Sequence, residues 1–533
     1  ATPQSSISQT LTNATNQSQQ VVYTVTPTSG AQGGCVGSSF TLTVTLSSRP
    51  SIADKETTIC GGTAFTVSPQ NGGSEIVPAG TVYTWTVVPN ANVSGESNQA
   101  TAQATISQTL TNNTNQVQTV VYTVTPSVNG ACTGNTFTVT VTVNSTPVVP
   151  AQTQTICSGG TFTVSPVDNG STTIVPSNTT YTWTVATNTN VSGQSAQATA
   201  QTTISQTLTN LTNVTQTVVY TVTPTSGAQG SCVGSTFTIT VTVSPKPTIN
   251  AQTTSSCSGT AFTFAPANGS GNIVPSNTTY TWTAPTVTGN LAGGSNGSGT
   301  SITGTLTNPT NTPQTATYTV TPTSGSCGGS AFTLTVTINP KPVVPAQTQT
   351  ICSGGTFTVS LTDNAPTTII PSNTTYTWTV AANANVSGQS NQATAQATIS
   401  QTLTNLTNQV QTVVYTVTPT SGAQGSCVGS TFTITVTVNP KPVVPAQSQT
   451  ICSGGTFTVA PTNAQPTTII PTGTTYTWTV VDNPNVTGES NQATPQSSIS
   501  QTLTNATNQS QQVVYTVTPT SGAQGGCVGS SFT

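Results

Sequence analysis

Residues 236–243 read TFTITVTV, and this alternation of threonine with apolar side chains decides the fold. Successive side chains of a β-strand point to opposite faces, so the stretch would form a strand with one apolar face and one threonine face. Clusters of Gly, Pro, Asn and Ser separate similar runs, and no stretch has a helical period. Further strands are expected over residues 161–164, 181–185 and 218–223, through Ile204 and Leu208, and before Cys157.

The same pattern recurs along the chain with a period of close to 100 residues. One copy of the segment AQTQTICSGGTFTV starts at Ala151, and near-identical copies start at Ala346 and Ala446. Trp occurs once in each copy, with spacings of 98, 99, 96 and 100 residues. Residues 1–41 return unchanged at 493–533, an offset of 492 residues that equals five copies. We therefore expect a five-domain super-repeat in a parent protein that continues in both directions.

Short proline segments mark the boundaries between the copies. Proline fixes φ and lacks an N–H donor, so these segments are expected to be stiff, extended joints. The linker residues are Pro245, Lys246, Pro247, Pro340, Lys341, Pro342, Pro440, Lys441 and Pro442. The predicted domains are the C-terminal part of a repeat at 1–50, complete repeats at 51–147, 148–247, 248–342 and 343–442, and a repeat lacking its last strand at 443–533.

Composition excludes several classes of partner. Only 2% of the residues are charged, and Thr, Ser, Asn and Gln take their place. Nucleic-acid binding and capture by an anionic membrane both need a cluster of cations, which five scattered ones do not form. No apolar run approaches the ~20 residues that span a bilayer, so no membrane insertion is expected. The five cations are Arg49, Lys55, Lys246, Lys341 and Lys441.

Residues for catalysis are scarce. The chain has no His and only eight acidic residues, so no catalytic triad or carboxylate pair is indicated. Asp54 and Glu56 flank Lys55 and are interpreted as an exposed local charge cluster. We predict no enzyme activity, no cofactor and no metal site, since no Cys-x-x-Cys motif occurs either.

Six or seven short strands in about 100 residues, with one Trp on the third or fourth, indicate an Ig-like β-sandwich. Trp183 shares a strand face with Tyr181 and Val185, so it is predicted to lie in the core. An exposed Trp that stacks on a ligand is the alternative. The predicted core tryptophans are Trp85, Trp183, Trp282, Trp378 and Trp478.

The repeat resembles the PKD-like, Ig-like repeats of very large surface proteins of Bacteroidota. The resemblance depends on Ile156-Cys157-Ser158-Gly159-Gly160, Tyr181-Thr182-Trp183, Tyr220-Thr221-Val222-Thr223-Pro224 and Cys232. It covers essentially the whole chain and includes the giant gliding-motility adhesins of the SprB type, which the type IX secretion system exports. Those relatives often carry more acidic residues. The implied fold is an all-β tandem array of Ig-like/PKD-like antiparallel β-sandwich domains forming an extended rod.

The eleven cysteines form two classes. One class precedes the second strand of a repeat, and the other precedes the last strand. Such regular use in a surface-type sequence indicates disulfides. In an Ig-like sandwich the two classes lie at opposite poles, about 25 Å apart at ~3.3 Å per residue, whereas a disulfide tolerates only about 4.4–6.8 Å between Cα atoms.

Neighbouring repeats, by contrast, would meet pole to pole, which favours disulfides between them. The predicted pairs are Cys60–Cys232, Cys157–Cys327, Cys257–Cys427 and Cys352–Cys527. Cys35, Cys132 and Cys452 would then have partners outside these residues. Pairing within a repeat, such as Cys157–Cys232, is the alternative if the strand order differs.

Together these features predict the shaft of an extracellular adhesin filament at the surface of a Gram-negative bacterium. It would contact surfaces or polysaccharide weakly through its neutral Thr/Ser/Asn faces. A structural spacer with binding located elsewhere is one alternative. A self-assembling fibre of several copies is the other, because uncharged strand edges offer weak protection against strand addition. The 248–342 repeat is the most divergent, mainly after Trp282 and over residues 289–304.

Overall fold

The structure is a computed structural model, which describes residues 2–30, 33–128, 131–227, 230–422, 425–522 and 525–533. The chain divides into two compact units, Ala1–Pro247 and Thr248–Thr533. Each unit contains consecutive β-sandwiches, and the described residues contain strands and turns but no α-helix. Within the described ranges there is accordingly no helix long and apolar enough to cross a membrane.

The 148–247 sandwich serves as the reference repeat, and its strand labels are used for the equivalent strands of the others. Its eight strands are β1 (Gln152–Cys157), β2 (Gly160–Val164), β3 (Thr180–Val185), β4 (Val191–Ser192), β5 (Gln197–Gln201), β6 (Ile204–Asn210), β7 (Gln216–Thr225) and β8 (Phe237–Ser244). One sheet has the order β1-β8-β7-β3-β5 and the other β2-β6-β4. The short strands β4 and β5 bring the number above the predicted six to seven.

The threonine alternation forms the central strands as predicted. In β8 the apolar residues are buried and the threonines between them are more exposed. The register places Val241 opposite Val218 and Ile239 opposite Tyr220, so apolar side chains meet across β7 and β8 on one face. The opposite sheet contributes Phe162, whose ring centroid lies 5.1 Å from that of Tyr220. Both sheets therefore close over a single apolar core.

One strand pair departs from the antiparallel pattern that the sequence indicates. Strand β1 pairs with β8 in parallel, with Gln154 opposite Val241 and Cys157 opposite Ser244. The chain enters the sandwich at one pole and leaves at the other, so its first and last strands run in the same direction. Their pairing places Cys157 beside the end of β8.

The other repeats follow the same plan. In the 51–147 sandwich the strands are Lys55–Cys60, Thr63–Val67, Thr81–Val87, Val93–Ser94, Gln99–Gln103, Ile106–Asn112, Gln118–Val128, Cys132–Thr133 and Phe137–Asn144. In the 248–342 sandwich they are Gln252–Cys257, Ala261–Phe264, Thr279–Trp282, Thr286–Val287, Ala292–Gly293, Gly297–Gly299, Ile302–Thr307, Gln314–Ser324, Cys327–Gly328 and Phe332–Asn339. In the 343–442 sandwich they are Gln347–Cys352, Gly355–Val359, Thr375–Ala381, Val386–Ser387, Gln392–Gln396, Ile399–Asn405, Gln411–Thr420 and Phe432–Asn439.

The two terminal repeats are partial. In the described part of residues 1–50 the strands Gln19–Val25 and Phe40–Leu46 form a hairpin. The last repeat has the strands Gly455–Val459, Thr475–Val480, Val486–Thr487, Gln492–Gln496, Ile499–Asn505 and Tyr515–Thr520. Its residues 447–452, which correspond to β1, form no strand because no β8 lies beside them.

A polar network ties the tryptophan into the sandwich. Trp183 is 6% exposed, and its Nε1 donates to the Ser195 carbonyl at 3.0 Å. Gln206 binds the same serine through its side chain, with its Oε1 accepting from Ser195 N at 3.1 Å. The Tyr220 hydroxyl donates to that Oε1 at 2.8 Å. All five tryptophans are buried, with exposures of 5–8%, so they do not offer a ring face for ligand stacking.

The divergent 248–342 sandwich has lost part of this network. Gly304 lies at the β6 position that Gln206 holds in the reference repeat. Tyr318 corresponds to Tyr220, and its buried hydroxyl has no hydrogen-bond partner. An added Cβ on Gly304 would lie 2.9 Å from the Phe262 ring and 3.1 Å from the Tyr318 hydroxyl, so a larger residue would require these two side chains to shift.

A buried asparagine closes the turn after β6. Asn210 is 2% exposed, and its Nδ2 donates to the carbonyls of Val214 and Val243 at 2.7 and 2.9 Å. Its Oδ1 accepts from the backbone N–H of Thr212 at 2.9 Å. The recurrent Asn-x-Thr sequence at this turn is therefore a structural motif.

Candidate functional site: the junctions between sandwiches

The first cysteine of each junction ends strand β1. Cys60 closes the strand Lys55–Cys60, and the chain turns back at once through Gly61 and Gly62. Gly61 N donates to the Asn144 carbonyl at 2.9 Å, which fixes the turn against the end of β8. Gly62 has a φ of +88°, in the region that favours glycine. Parallel pairing of β1 with β8 thus brings Cys60 to the pole where the chain leaves the sandwich.

The second cysteine lies in the loop between β7 and β8 of the next repeat. Cys232 is 1% exposed, and its carbonyl accepts from Ser226 N at 2.9 Å. Gly234 N donates to the Pro224 carbonyl at 2.9 Å. These two bonds hold the cysteine at the opposite pole of its own sandwich, next to the incoming linker.

The structure joins the two classes of cysteine across consecutive sandwiches. The disulfides are Cys60–Cys232, Cys257–Cys427 and Cys352–Cys527, with Cα–Cα distances of 5.6, 5.7 and 5.6 Å and sequence separations of 172, 170 and 175 residues. These are three of the four pairs that the sequence predicts. Because Cys232 is bonded to Cys60, the alternative Cys157–Cys232 pairing within one repeat is wrong.

The predicted partners of the remaining cysteines are not tested by these three disulfides. Cys157 lies in the first unit and Cys327 in the second, and their pairing stays a prediction. Cys35 and Cys452 are exposed free thiols, and Cys132 is a half-buried one. That these three have partners outside the 533 residues is likewise untested.

Glycine two residues before the cysteine permits a close contact with the preceding sandwich. A Cβ on Gly230 would lie 2.3 Å from the amide nitrogen of Asn144, the last residue of β8 in the preceding repeat. Gly425 and Gly525 have the same relation to Asn339 and Asn439, at 2.5 and 2.3 Å. Gly230 also has a φ of +103°. Any side chain here would strain the loop and force the Asn144 side chain of the neighbouring sandwich to move.

A second glycine, two residues after the cysteine, contacts the linker. A Cβ on Gly234 would lie 2.2 Å from the Pro147 carbonyl oxygen. At Gly429 and Gly529 the corresponding distances to the Pro342 and Pro442 carbonyls are both 2.4 Å. Sequence reasoning missed this Gly-x-Cys-x-Gly motif, although its spacing is visible at residues 230–234, 425–429 and 525–529.

The linkers are held against the sandwich that follows them. Val148 and Ile174 exchange two backbone hydrogen bonds of 2.9 and 2.8 Å, and the same pairing recurs in the next repeats. Both prolines of each Pro-Lys-Pro linker are buried, and the lysine between them is half-buried. At the first junction Arg49 adds hydrogen bonds to the Thr133 carbonyl and to Asn135 Oδ1, at 2.7 and 3.1 Å.

The few charges make structural contacts. Lys55 Nζ lies 2.6 Å from Glu75 Oε1, and this contact holds the pKa of Glu75 below its usual value. Asp54 accepts a backbone hydrogen bond from Thr138, which lowers the pKa of its carboxyl group. Asp54 and Glu56 are exposed, as predicted, but Lys55 is half-buried and pairs with Glu75 rather than with its neighbours in sequence. Among the described residues, no group of three or more metal-ligating side chains occurs.

Two glutamates occupy positions that glutamine holds elsewhere. Gln194 Nε2 donates to the Val191 carbonyl at 3.0 Å. Glu96 and Glu489 take the equivalent positions, where an Oε1 accepts from a backbone N–H, but the Oε2 of each is buried without a partner. A carboxylate cannot donate, so these two repeats lack the glutamine bonds to the loop carbonyls.

Comparison with protein families gives the repeats their assignment. The model of the PKD-like domain matches residues 1–50, 57–147, 154–247, 254–342, 349–442 and 449–533. The chain belongs to the PKD-like domain family. The PKD-like part of the resemblance is thereby confirmed. Repeats of this type are typical of non-enzymatic adhesion or structural domains.

Several solved structures are similar to this PKD-like chain, each with a low sequence identity and a low TM-score. The human desmocollin-1 ectodomain is 11% identical and matches over 90% of this chain and 97% of its own, with a TM-score of 0.20. The insect immune protein hemolin is 12% identical over 73% and 100%, with a TM-score of 0.18. The titin I-band fragment I67–I69 is 9% identical over 55% and 96%, with a TM-score of 0.24. No curated protein resembles the PKD-like chain closely enough to count as a match.

Proposed function

We propose that these PKD-like repeats form the shaft of a long extracellular filament that gives reach and mechanical strength to an adhesin. The observation that carries the proposal is the disulfide between consecutive sandwiches, as in Cys60–Cys232. A protein that needs only independent binding modules has no use for covalent bonds between neighbours. Tandem repeats joined twice, once by the linker and once by sulfur, suit a load-bearing role.

The disulfides also support a secreted or surface location. Such bonds persist in oxidising compartments and are rare where thiols are kept reduced. The resemblance to SprB-type adhesins extends the proposal to a filament at the outer surface of a Gram-negative Bacteroidota cell. Export by type IX secretion and a part in gliding motility belong to this extension.

The adhesive part of the proposal depends on the neutral outer faces. In the β2–β6 sheet, exposed Thr161 and Thr207 hydroxyls lie 2.6 Å apart, and Thr163 and Ser205 hydroxyls lie 3.0 Å apart. Rows of hydroxyls can hydrogen-bond weakly to polysaccharide or hydrated surfaces. Their lack of charge makes such contacts insensitive to salt.

The same observation favours a second candidate, a structural spacer with binding located elsewhere. Hydroxyls that bond to one another across the sheet have fewer bonds left to offer a ligand. The pairing repeats in other sandwiches, for example between Thr356 and Thr402 at 2.6 Å. A spacer would need nothing more from these faces than solubility.

Two measurements test the function. Antibodies against these repeats should label intact, unpermeabilised cells, and beads coated with the 533-residue chain should adhere to polysaccharide-coated glass. Labelling with no bead adhesion would support the spacer, because the filament would then be external but not sticky. Absence of surface labelling in cells that make the protein would refute both versions.

A further inference from the structure

The disulfides divide each sandwich into a part that can carry tension and a part that cannot. We propose that the bonded cysteines form a covalent track along the repeats, which takes the load and keeps most of each sandwich out of the loaded path. This inference deepens the proposed shaft function and rests on it. It names the elements that bear force and those that are shielded.

The track consists of short backbone segments joined by sulfur. The segment from Cys35 to Cys60 leads into the bond to Cys232, and the segment from Cys232 to Cys257 leads into the bond to Cys427. The next segment ends at Cys452. Each of these segments advances 25 residues in sequence. Every bond along this route is one that the structure contains.

The segment from Cys35 to Cys60 has little slack. Between these cysteines the chain forms the strand Phe40–Leu46, crosses the buried Pro50, and forms the strand Lys55–Cys60. Strand residues already rise about 3.3 Å each, close to the ~3.6 Å maximum of a fully extended chain. Pulling on such a segment therefore lengthens it only slightly.

The rest of each sandwich lies outside this route. Residues 61–231 form a closed loop between Cys60 and Cys232, and they hold strands β2 to β8 of one sandwich and β1 to β7 of the next. Tension that enters the strand Lys55–Cys60 leaves it through sulfur, so the strand is pulled along its own axis. The ladder that joins it to its parallel partner β8 is not sheared. The sandwich body is carried by the track without being stretched.

The disulfides enclose a large part of the chain in loops that cannot extend under tension. The loops closed by Cys60–Cys232 and Cys257–Cys427 do not overlap, and with separations of 172 and 170 residues they hold about 340 of the 533 residues. At ~3.5 Å per residue, the fully extended chain would measure about 1,900 Å without disulfides and at most about 700 Å with them. The bonds thus reduce the greatest possible extension about threefold.

The experiment is single-molecule stretching of the 533-residue chain through peptide tags at its two ends. Cys35, Cys132 and Cys452 are changed to Ser to prevent bonds between copies. The substitutions Cys157→Ser and Cys327→Ser leave only the bonds Cys60–Cys232, Cys257–Cys427 and Cys352–Cys527. The oxidised tether should stop at or below about 700 Å, and the same tether should extend to about 1,900 Å after dithiothreitol.

Two further variants locate the track. Removing the first bond with Cys60→Ser and Cys232→Ser should lengthen the oxidised tether by about 600 Å, the contour of its loop. Removing the third bond with Cys352→Ser and Cys527→Ser is the matched control. Its loop overlaps that of Cys257–Cys427, so only about 25 more residues, or about 90 Å, should be released.

The outcomes separate the track from the shaft itself. An oxidised tether that reaches the reduced length, or equal lengthening in both pair variants, would overturn the track. Since each tether is its own reduced control, a variant that folds poorly does not spoil the comparison on the parent chain. Surface labelling is independent of these readings, so the track can fail while the filament proposal stands.

Discussion

Removing a single tyrosine hydroxyl should destabilise one sandwich and stabilise another. Tyr220→Phe deletes the 2.8 Å hydrogen bond to Gln206, while Tyr318→Phe deletes a buried hydroxyl that has no partner. Both rings lie fully inside their cores, so packing changes equally little in the two variants. The pair isolates the value of one hydrogen bond.

The magnitudes follow from the contacts. After Tyr220→Phe, Gln206 Oε1 still accepts from Ser195 N, so no polar atom is left without a partner and the loss is one net hydrogen bond, about 1 kcal/mol. After Tyr318→Phe, the desolvation cost of an unpaired hydroxyl disappears, which should stabilise the sandwich by about 1 kcal/mol. One kcal/mol corresponds to about a fivefold change in the population of the opened state.

Hydrogen exchange of the intact oxidised chain, read by mass spectrometry, measures each sandwich separately. Peptides from 216–225 should exchange about fivefold faster in Tyr220→Phe, and peptides from 314–324 should exchange more slowly in Tyr318→Phe. Peptides from the unsubstituted repeats are the internal control. Equal acceleration in both variants would refute the reasoning, because it would show that Tyr318 has a partner.

Three other predictions follow from single contacts. Glu96→Gln should stabilise the 51–147 sandwich by about 1 kcal/mol, because the amide can donate a hydrogen bond where the carboxylate cannot. Hydrogen exchange of this sandwich should therefore become slower. An unchanged exchange rate in both Glu96→Gln and the reverse change Gln194→Glu would contradict the prediction. Burial raises the pKa of Tyr220 to about 12, so above about pH 10 the unfolded state loses the phenolic proton before the folded state does. The free energy of unfolding measured with urea should be steady from neutral pH to about 9 and then fall. A tyrosinate absorbance that rises with a midpoint at the usual tyrosine pKa in the folded chain would argue against this. Gly230→Ala would place a Cβ 2.3 Å from the Asn144 amide nitrogen, so non-reducing peptide mapping should find a smaller fraction of chains with the Cys60–Cys232 disulfide. Gly33→Ala is the control, because no atom lies nearer than 4.0 Å to the added Cβ, and it should leave that fraction unchanged.

Alternation predicted the core because it reports directly on which residues face inward. Strand β8 and the buried Trp183 follow from sequence alone, since a one-residue shift would expose every apolar side chain of the strand. Three of the four predicted cysteine pairs are likewise present, because placing cysteines at the two poles needs only the direction of each strand. The core depends on spacing within one repeat, and the cysteine pairs need in addition only that neighbouring repeats meet pole to pole.

What escaped prediction depends on contacts between segments. Parallel pairing of β1 with β8 cannot be read from the alternation of either strand, since both orientations bury the same face. The Gly230 contact with Asn144 depends on how two sandwiches meet, and glycine is common in loops whether or not a neighbouring segment approaches it. The sequence shows that residue 304 is a glycine where other repeats have glutamine. That the Tyr318 hydroxyl thereby loses its hydrogen-bond partner can be seen only from the positions of β6 and β7 in the folded sandwich.

The wide separation of bonded cysteines also sets an order of events during synthesis and export. Cys232 follows Cys60 by 172 residues, whereas Cys132 follows it by only 72 and is therefore synthesised earlier. In the folded sandwich the strand Phe137–Asn144 separates these two thiols, about 26 Å at ~3.3 Å per residue. Oxidation before folding would therefore trap Cys60 with a wrong partner. Correct assembly requires each sandwich to fold with its thiols still reduced and to be oxidised only after its successor has formed.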